Sequence, residues 1–590
     1  MPDNVVQIRS LPGIKRDGTR LEGDQYVDGQ WCRFQRGLPR KMGGYRSINK
    51  FLQGLPRALN EYTQDLLTYV HAGSANRVER FFIDGSYNTS VISNRTPSAL
   101  TANDGNLWQF DVGYDTTNGN QIVAQVAPNL NCICNASGGQ LFVGNLLGTS
   151  ALTQVTTVPA NFSVTGGVVT MPPYTVAFGN DGYVAWSVPN KPTDFTGSGA
   201  GNAFVTGQKI VRGMPLRGGP GNSPSGLLWS ADSLVRMTYV GGTAVFQFDT
   251  ISTQSSIMSS QSVIEYDGIF YWLGTDRFLS FNGVVREVEN NMNQNFFFDN
   301  LNYPNRQKVF AFKVPRFGEI WWCFPFGDST EPNHAIIYNV RENIWYDTAL
   351  PNGGRGAGLF PAVFRKPLLS GIDPQDATAT AVSISAAGTG YAVGNTLTVV
   401  GGNNIFPVEL TVTSIGGSGA ITGVSITNAG SYITTPTNPV AVTGGAGSSA
   451  TFNLTFINPY KFWVHEVGTD EIDGTLINPI QSYFETGDLS LPVQSQTNKA
   501  IQVLMLEPDF VQSGDMTVAI HGRANARSPE VNGEAKTIYE NPPTPQDQVI
   551  YFKEQRRELR FRFESNTVGG NYEMGLILAH IQPGDATVIG

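Results

Sequence analysis

The sequence predicts an all-β protein: an irregular β-propeller carrying a small inserted β module and a C-terminal β-sandwich, or platform, domain. Three observations lead there. Short apolar runs of four to seven residues, rich in aromatic and β-branched side chains, recur along most of the 590 residues. Turn pairs separate them, at Asp84-Gly85, Asp181-Gly182, Asp267-Gly268 and Asn282-Gly283; a tight hairpin needs positive φ at both central residues, which Asn, Asp and Gly tolerate. Glycine reaches 66 residues while charged residues make up only 15%, the balance of a turn-rich β chain rather than a helical one.

A chain of this length exceeds one ordinary domain. Residues 1–60 read as a basic arm: Arg9, Lys15, Arg16, Arg20, Arg33, Arg36, Arg40, Lys41, Arg46, Lys50 and Arg57 outnumber Asp3, Asp17, Glu22, Asp24 and Asp28. Gly and Pro break any helix there, so the segment is expected to be an irregular arm with one or two short strands, either solvated as a basic loop or docked on a partner. Residues 61–375 supply the propeller body, in runs such as YTVAFGNDGYVAWSV, GIFYWLGTDRFLSFNG and HAIIYNVRENIWYDT. Trp186 and Trp345 stand near turns and are expected between blades. An array of β-sandwiches is the competing architecture.

Residues 376–457 change character, with Asp376 and Glu409 as the only charges. The motif VSISAAGTGY (Val382–Tyr391) returns as VSITNAGSY (Val424–Tyr432), which predicts two copies of a small β unit looped out of the main body. Residues 458–480 return to the propeller, and 481–590 form the C-terminal domain. In ELRFRFE, Leu559, Phe561 and Phe563 alternate with Arg560, Arg562 and Glu564, one apolar and one charged strand face.

Reactive groups do not converge in the sequence. The five histidines (His71, His334, His465, His521 and His580) have no metal-site spacing. Cys132 and Cys134 form a C-x-C without further ligands nearby and read as small buried hydrophobes. Neither a G-x-S-x-G elbow nor a phosphate loop is present. The glycine clusters at Gly218–Gly226 and Gly353–Gly358 do not open helices and read as loops. Asp181, Asp232, Asp267, Asp276 and Glu319 are the carboxylates a glycosidase could use, with turn duty as their ordinary explanation. The segment Asp470–Gly474 lacks the ligand spacing of a calcium loop. No catalytic residue, metal or cofactor is expected. A net charge of −9 without a basic stripe argues against a general nucleic-acid binder. The opening MPDNVVQIRS lacks the regions of a secretory signal, and no apolar run is long enough to span a membrane; synthesis in the cytoplasm is expected.

Two stretches resemble a known family. GIKRDGTRLEGDQYVDGQWCRFQRGLPRKMGGY near the start, and RFRFESNTVGGNYEMGLILAHIQPGD near the end, resemble the two ends of the tail nozzle, or packaged-DNA stabilisation, proteins of short-tailed bacteriophages. The uncharged 376–457 segment resembles β modules inserted in phage virion proteins and departs from the basic nozzle pattern. The resemblance implies a non-enzymatic structural virion protein of the phage tail, made in the host bacterial cytoplasm. It implies a homo-oligomeric, sixfold ring below the portal and adaptor that continues the tail tube, meets tail fibre or needle/plug proteins, retains the packaged double-stranded DNA and conducts it during ejection without specific binding. Tyr26, Asp28, Trp31, Arg33, Phe34, Arg36, Arg40, Arg560 and Arg562 are then the candidate subunit or adaptor contacts, because Trp and Arg concentrate interface energy. The alternative is a tail-associated carbohydrate-binding or carbohydrate-degrading propeller.

Overall fold

The computed structural model describes residues 4–584 apart from 21–23, 53, 65–66, 85, 87–88, 99, 101–106, 128–139, 161–162, 217–223, 351–353, 362–364, 373–376, 458–459, 490–499 and 525–526. Cys132, Cys134, Gly85 and most of Gly218–Gly226 lie outside the described residues. The described chain is almost entirely strand.

Six consecutive four-stranded antiparallel sheets form blades 1 to 6, spanning Ala58 to Asn94, Leu107 to Gln154, Gly167 to Phe204, Ile210 to Ser252, Val263 to Glu287 and Phe310 to Ala349. Blade 7 is assembled from three parts of the chain: Arg355–Leu359 and Leu368–Ile372, then Tyr460–His465, then Tyr45–Leu52 as the fourth strand. The first strand of blade 7 lies beside the first strands of blades 6 and 1, so the ring closes with an N-terminal strand completing the last blade. Trp345 packs 4.5 Å from Phe278, between blades 6 and 5. Trp186 packs 5.3 Å from Phe246, between blades 3 and 4. Large rings at these positions fill the wedge that opens between radially arranged sheets.

The basic arm is not an arm. Besides the Tyr45–Leu52 blade strand, residues 4–41 place four strands in the C-terminal domain. Asn4–Ile8 pairs with Ile577–Pro583. Asp28–Gln30 pairs with Ser482–Glu485. The Cys32–Gln35/Leu38–Lys41 hairpin joins Asn571–Met574. The sandwich therefore consists of three sheets built from both ends of the chain. One hydrophobic core runs from Ile8, Tyr26, Trp31 and Phe34 through Phe484, Phe561 and Phe563 into blade 6 at Phe312, Trp321 and Ile337. Sequence reading missed this because polar and basic residues alternate with the apolar ones on these short strands, and their partners lie more than 400 residues away in the chain, as Asp28 opposite Glu485 shows.

The insert between Ile372 and Tyr460 forms a six-stranded sheet in the order Thr378–Thr389, Ser448–Ile457, Val440–Thr443, Thr396–Val399, Glu409–Ile415, Ile421–Asn428. Its two outer strands also lie side by side, so the sheet curls into a barrel around Leu397, Leu410, Val412, Phe452 and Leu454. The order reads the same from either end once the two halves are exchanged, and the repeated Tyr391 and Tyr432 are both buried. The sequence repeat is thus an approximate twofold repeat of structure.

Ile372 pairs directly with Tyr460, so the module interrupts a hairpin whose strands stay in register without it. Replacing residues 377–457 with a short Asn-Gly turn is expected to leave the remaining chain folded, because closing a short loop costs little and the module has its own core. Thermal denaturation followed by circular dichroism checks this: a melting midpoint within a few degrees of the full chain is expected, and a molten product would show that the module supports the propeller.

Candidate functional site at the junction of the termini and the propeller

The charged residues singled out by the sequence meet where the N-terminal strands, blades 6 and 7 and the C-terminal sheets come together. Trp31 takes a left-handed φ of 51°, turning its ring inward, where Nε1 donates to the Gly43 carbonyl at 3.1 Å. The turn aims Arg33 into the protein, at 1% exposure. Its Nη1 donates to Glu466 Oε2 at 2.8 Å, and its Nε lies 2.8 Å from Glu319 Oε1. Tyr346 donates its hydroxyl to Glu319 at 2.7 Å, and Trp321 Nε1 donates at 2.9 Å. Burial works against the Arg33 cation, but Glu319 and Glu466 outweigh it and hold it above the usual arginine range. Burial also raises Glu319 above the usual carboxylate range, with Arg33 pulling the other way.

Two further clasps repeat this design. Arg16 reaches Asp347 on the outer strand of blade 6 at 3.0 Å and Asp28 at 2.5 Å. Burial alone would raise Asp347, but Arg16 and the hydrogen bond from His334 hold it at about 2. In the C-terminal sheets, Arg560 bonds Glu485 at 2.6 Å, Glu530 at 2.5 Å and Asp488 at 3.3 Å. Arg562 stacks 3.5 Å over Tyr483 and pairs with Glu485. Burial opposes the Glu485 charge, yet His521 and Arg560 hold it at about 2.

The expected contact surface is therefore mostly interior. Tyr26, Trp31, Arg33, Phe34 and Arg560 are buried inside the chain, and Asp28 is engaged by Arg16. Trp31, Arg33 and Phe34 tie the N-terminal strands to blade 6, Arg560 ties the C-terminal strands to one another, and the buried side chains among them are unavailable to another subunit. Arg36 remains exposed beside Glu573, while Arg40 and Arg562 are half-buried. The charged face expected for ELRFRFE survives at Arg562 and Glu564 but not at Arg560, because carboxylates from neighbouring strands enclose that guanidinium. Sequence reasoning missed Glu466, Asp347 and Glu485, the counter-charges, since nothing local marks a carboxylate as the partner of a distant arginine.

The candidate glycosidase carboxylates do not converge. Asp181, Asp232 and Asp276 sit on turns between second and third strands of blades 3, 4 and 5, and Asp267 on the opposite face. Asp181 and Asp267 have φ of 56° and 50°, as turn residues do, and Glu319 is consumed by Arg33. Glu485, His521 and Glu530 place ligand atoms within 4.8 Å of one another, close enough for a metal ion by distance. The Arg560 guanidinium already binds both carboxylates, so a cation there would meet a fixed positive charge. The axial channel of the propeller is bridged. Gln109 on blade 2 donates to the carbonyls of Gly166 and Val211 at 2.5 and 2.9 Å, and Gln261 donates to that of Trp108 at 3.1 Å.

The acidic clasps set a pH dependence. Asp347 and Glu485 have lower pKa values folded than unfolded, so their stabilisation is complete above the unfolded values near 4 and is lost as pH falls toward about 2. Each contributes about 2–3 kcal/mol by this linkage, while Glu319, raised by burial, acts in the opposite sense. Urea midpoints are expected to be level from pH 7 to 5 and to fall between pH 4 and 2.5. Asp347→Asn should flatten part of that fall; an unchanged pH profile would remove Asp347 from the account.

No protein-family model and no curated protein matches the chain. Among solved structures, the chain is similar to the WD40 β-propeller domain of Doa1, at 11% identity and a TM-score of 0.35 over 55% of this chain and 93% of that one. It is similar to the computationally designed Ika8 protein, at 10% identity and 0.33 over 55% and 96%. It is also similar to the exo-β-1,3-galactanase of Phanerochaete chrysosporium, at 8% identity and 0.28 over 92% and 100%. At these values the likenesses carry no functional argument; the blade topology itself establishes a closed seven-bladed β-propeller fused to a sandwich that both ends of the chain build.

Proposed function

We propose that the chain is a non-enzymatic structural subunit of a short-tailed phage tail, a nozzle ring that joins a portal–adaptor complex, carries fibre or plug proteins, and retains and then conducts packaged DNA. One observation supports this reading above others. The two stretches whose sequence resembles the nozzle family, one near each terminus, meet in one sheet of the platform, where Arg40 pairs with Glu573, and the N-terminal stretch is locked to blade 6 by buried ion pairs. A rigid block of this kind suits side-by-side packing in a closed ring, where each contact joins unlike surfaces. The bridged axial channel means that a duplex would pass between chains, through the ring's own lumen. The acidic total of −9 suits a lumen that is neutral or acidic, with basic residues in narrow rings, since continuous phosphate contacts would hold the duplex. Mass photometry of the purified chain, alone and with a portal–adaptor complex, tests the proposal: six copies per complex are expected, and a chain that never leaves the monomer peak overturns it.

A second reading, a carbohydrate-binding propeller, draws on a groove of about 800 Å³ between blades 4 and 5. Phe270 and Phe281 line it with Arg236, Gln247, Asp249 and Asn282. The two rings are almost fully buried, at 4% and 7% exposure, which leaves little aromatic face for a sugar to stack on. Binding or turnover of host polysaccharide by the purified chain would favour this reading.

A further inference from the structure

Four turns gather on one face of the molecule beside the clasp. They are the Gln35–Leu38 turn of the N-terminal hairpin, the turns after the first and third strands of blade 6, and the short segment at Arg365 and Lys366 that leads into the second strand of blade 7. Strand direction puts all three propeller turns at the same end of their blades. They carry Arg36, Arg316, Arg341 and Lys366, with Arg40 on the adjoining strand.

These cations are packed together. The guanidinium carbons of Arg33, Arg316 and Arg40 lie 3.8, 5.2 and 5.9 Å from the centre of the Phe317 ring. Arg341 donates to the carbonyls of Arg316 and Pro315 at 2.9 and 2.7 Å, which presses the two arginines together. Lys366 donates to the Glu466 carbonyl at 2.6 Å. Nearby carboxylates are already engaged: Glu466 by Arg33, Glu573 by Arg36 and Arg40, and Glu342 by the backbone N–H groups of Arg36 and Gly37. Among the described residues, Arg316, Arg341 and Lys366 form no ion pair. Burial, together with Arg33, Arg316 and Arg36, lowers Arg40 below the usual arginine range, the mark of crowded positive charge. Arg36 and Arg365 also hold left-handed φ values of 57° and 52°, a strained choice at turn tips where Gly or Asn would sit more easily.

We infer that this cluster is a contact site for the phosphate backbone of double-stranded nucleic acid. Guanidinium forks on turn tips match phosphate oxygens, and several unneutralised cations within one patch release counterions on binding. A protein partner fits less well. None of the exposed large apolar side chains among the described residues lies on these turns, whereas protein interfaces centre on an apolar core. The site is small, so each chain would bind weakly and lose its hold as salt rises. The inference goes beyond the ring proposal and does not depend on it, since the chain alone should bind.

The test uses the full chain and a fluorescent duplex of about 20 base pairs, followed by anisotropy from low salt to about 200 mM. Arg316→Glu/Lys366→Glu should weaken binding at least about tenfold and reduce the slope of log affinity against log salt by about 2. Arg316→Gln/Lys366→Gln, gentler on folding, should lose binding in the same direction, with circular dichroism confirming the fold. Failure of the wild-type chain to bind the duplex at low salt overturns the assignment, as does unchanged binding in either double variant. Tighter binding of polyglutamate than of duplex through the same residues would instead make the patch a protein contact.

Discussion

A chain lacking residues 1–52 is expected not to fold at all, in either the propeller or the C-terminal domain. Truncating an arm would cost nothing; truncating this segment removes an element from every unit it touches. Blade 7 loses Tyr45–Leu52, which pairs with Tyr460–His465 on one side and Glu471–Asp473 on the other, leaving an open sheet edge of the kind that drives aggregation. The sandwich loses four strands and the core side chains Ile8, Ile14, Tyr26, Trp31 and Phe34, all at most 3% exposed. Burial of each large apolar side chain contributes roughly 1.5–3 kcal/mol, so these five alone approach the 5–15 kcal/mol net stability of a typical domain. The product should be insoluble or molten, with near-ultraviolet circular dichroism collapsed. A soluble fragment melting cooperatively near the full-length midpoint would return the segment to the status of an arm.

The second large effect belongs to one side chain. Arg33→Met is expected to cost about 3–5 kcal/mol, because it strands the Glu319 carboxylate at 0% exposure with only the Tyr346 hydroxyl and Trp321 indole as donors. Apolar volume is nearly kept, so the loss reports the uncompensated charge rather than a cavity. Arg33→Met/Glu319→Gln should recover much of it, since the neutral amide no longer needs a counter-charge. Urea denaturation of the two variants separates the contributions: equal losses in both would mean that packing around Phe317, where the guanidinium sits 3.8 Å from the ring centre, matters more than charge.

The sequence made the blades legible because their signals are local. A run such as GIFYWLG followed by RFLSFNG needs only its own residues to read as a hairpin, and those residues form Ile269–Leu273 and Phe278–Phe281. The module was legible for a different reason, an abrupt loss of charge together with an internal repeat. What stayed hidden was long-range. QWCRFQRG reads as basic loop because arginine normally faces water; only the carboxylates of Glu319 and Glu466, hundreds of residues away, make burial of Arg33 tolerable. For the same reason Trp31 and Arg33 resembled interface anchors: a residue pair that binds another subunit and one that binds a distant part of its own chain are identical in sequence. The basic cluster escaped notice because Arg36 and Arg40 of the basic segment are joined there by single residues from separate, distant turns, Arg316, Arg341 and Lys366, which no local run of positive charge long enough to signal a patch marks out.

Electron cryomicroscopy of the chain mixed with a portal–adaptor complex tests the central claim most directly. The account predicts a closed ring of six copies on the adaptor, built from intact propeller–platform blocks, with the passage on the ring axis between chains and each propeller's own channel shut by Gln109 and Gln261. Particles in which the chain stays single beside an undecorated adaptor would contradict it, as would a duplex threaded through an individual propeller.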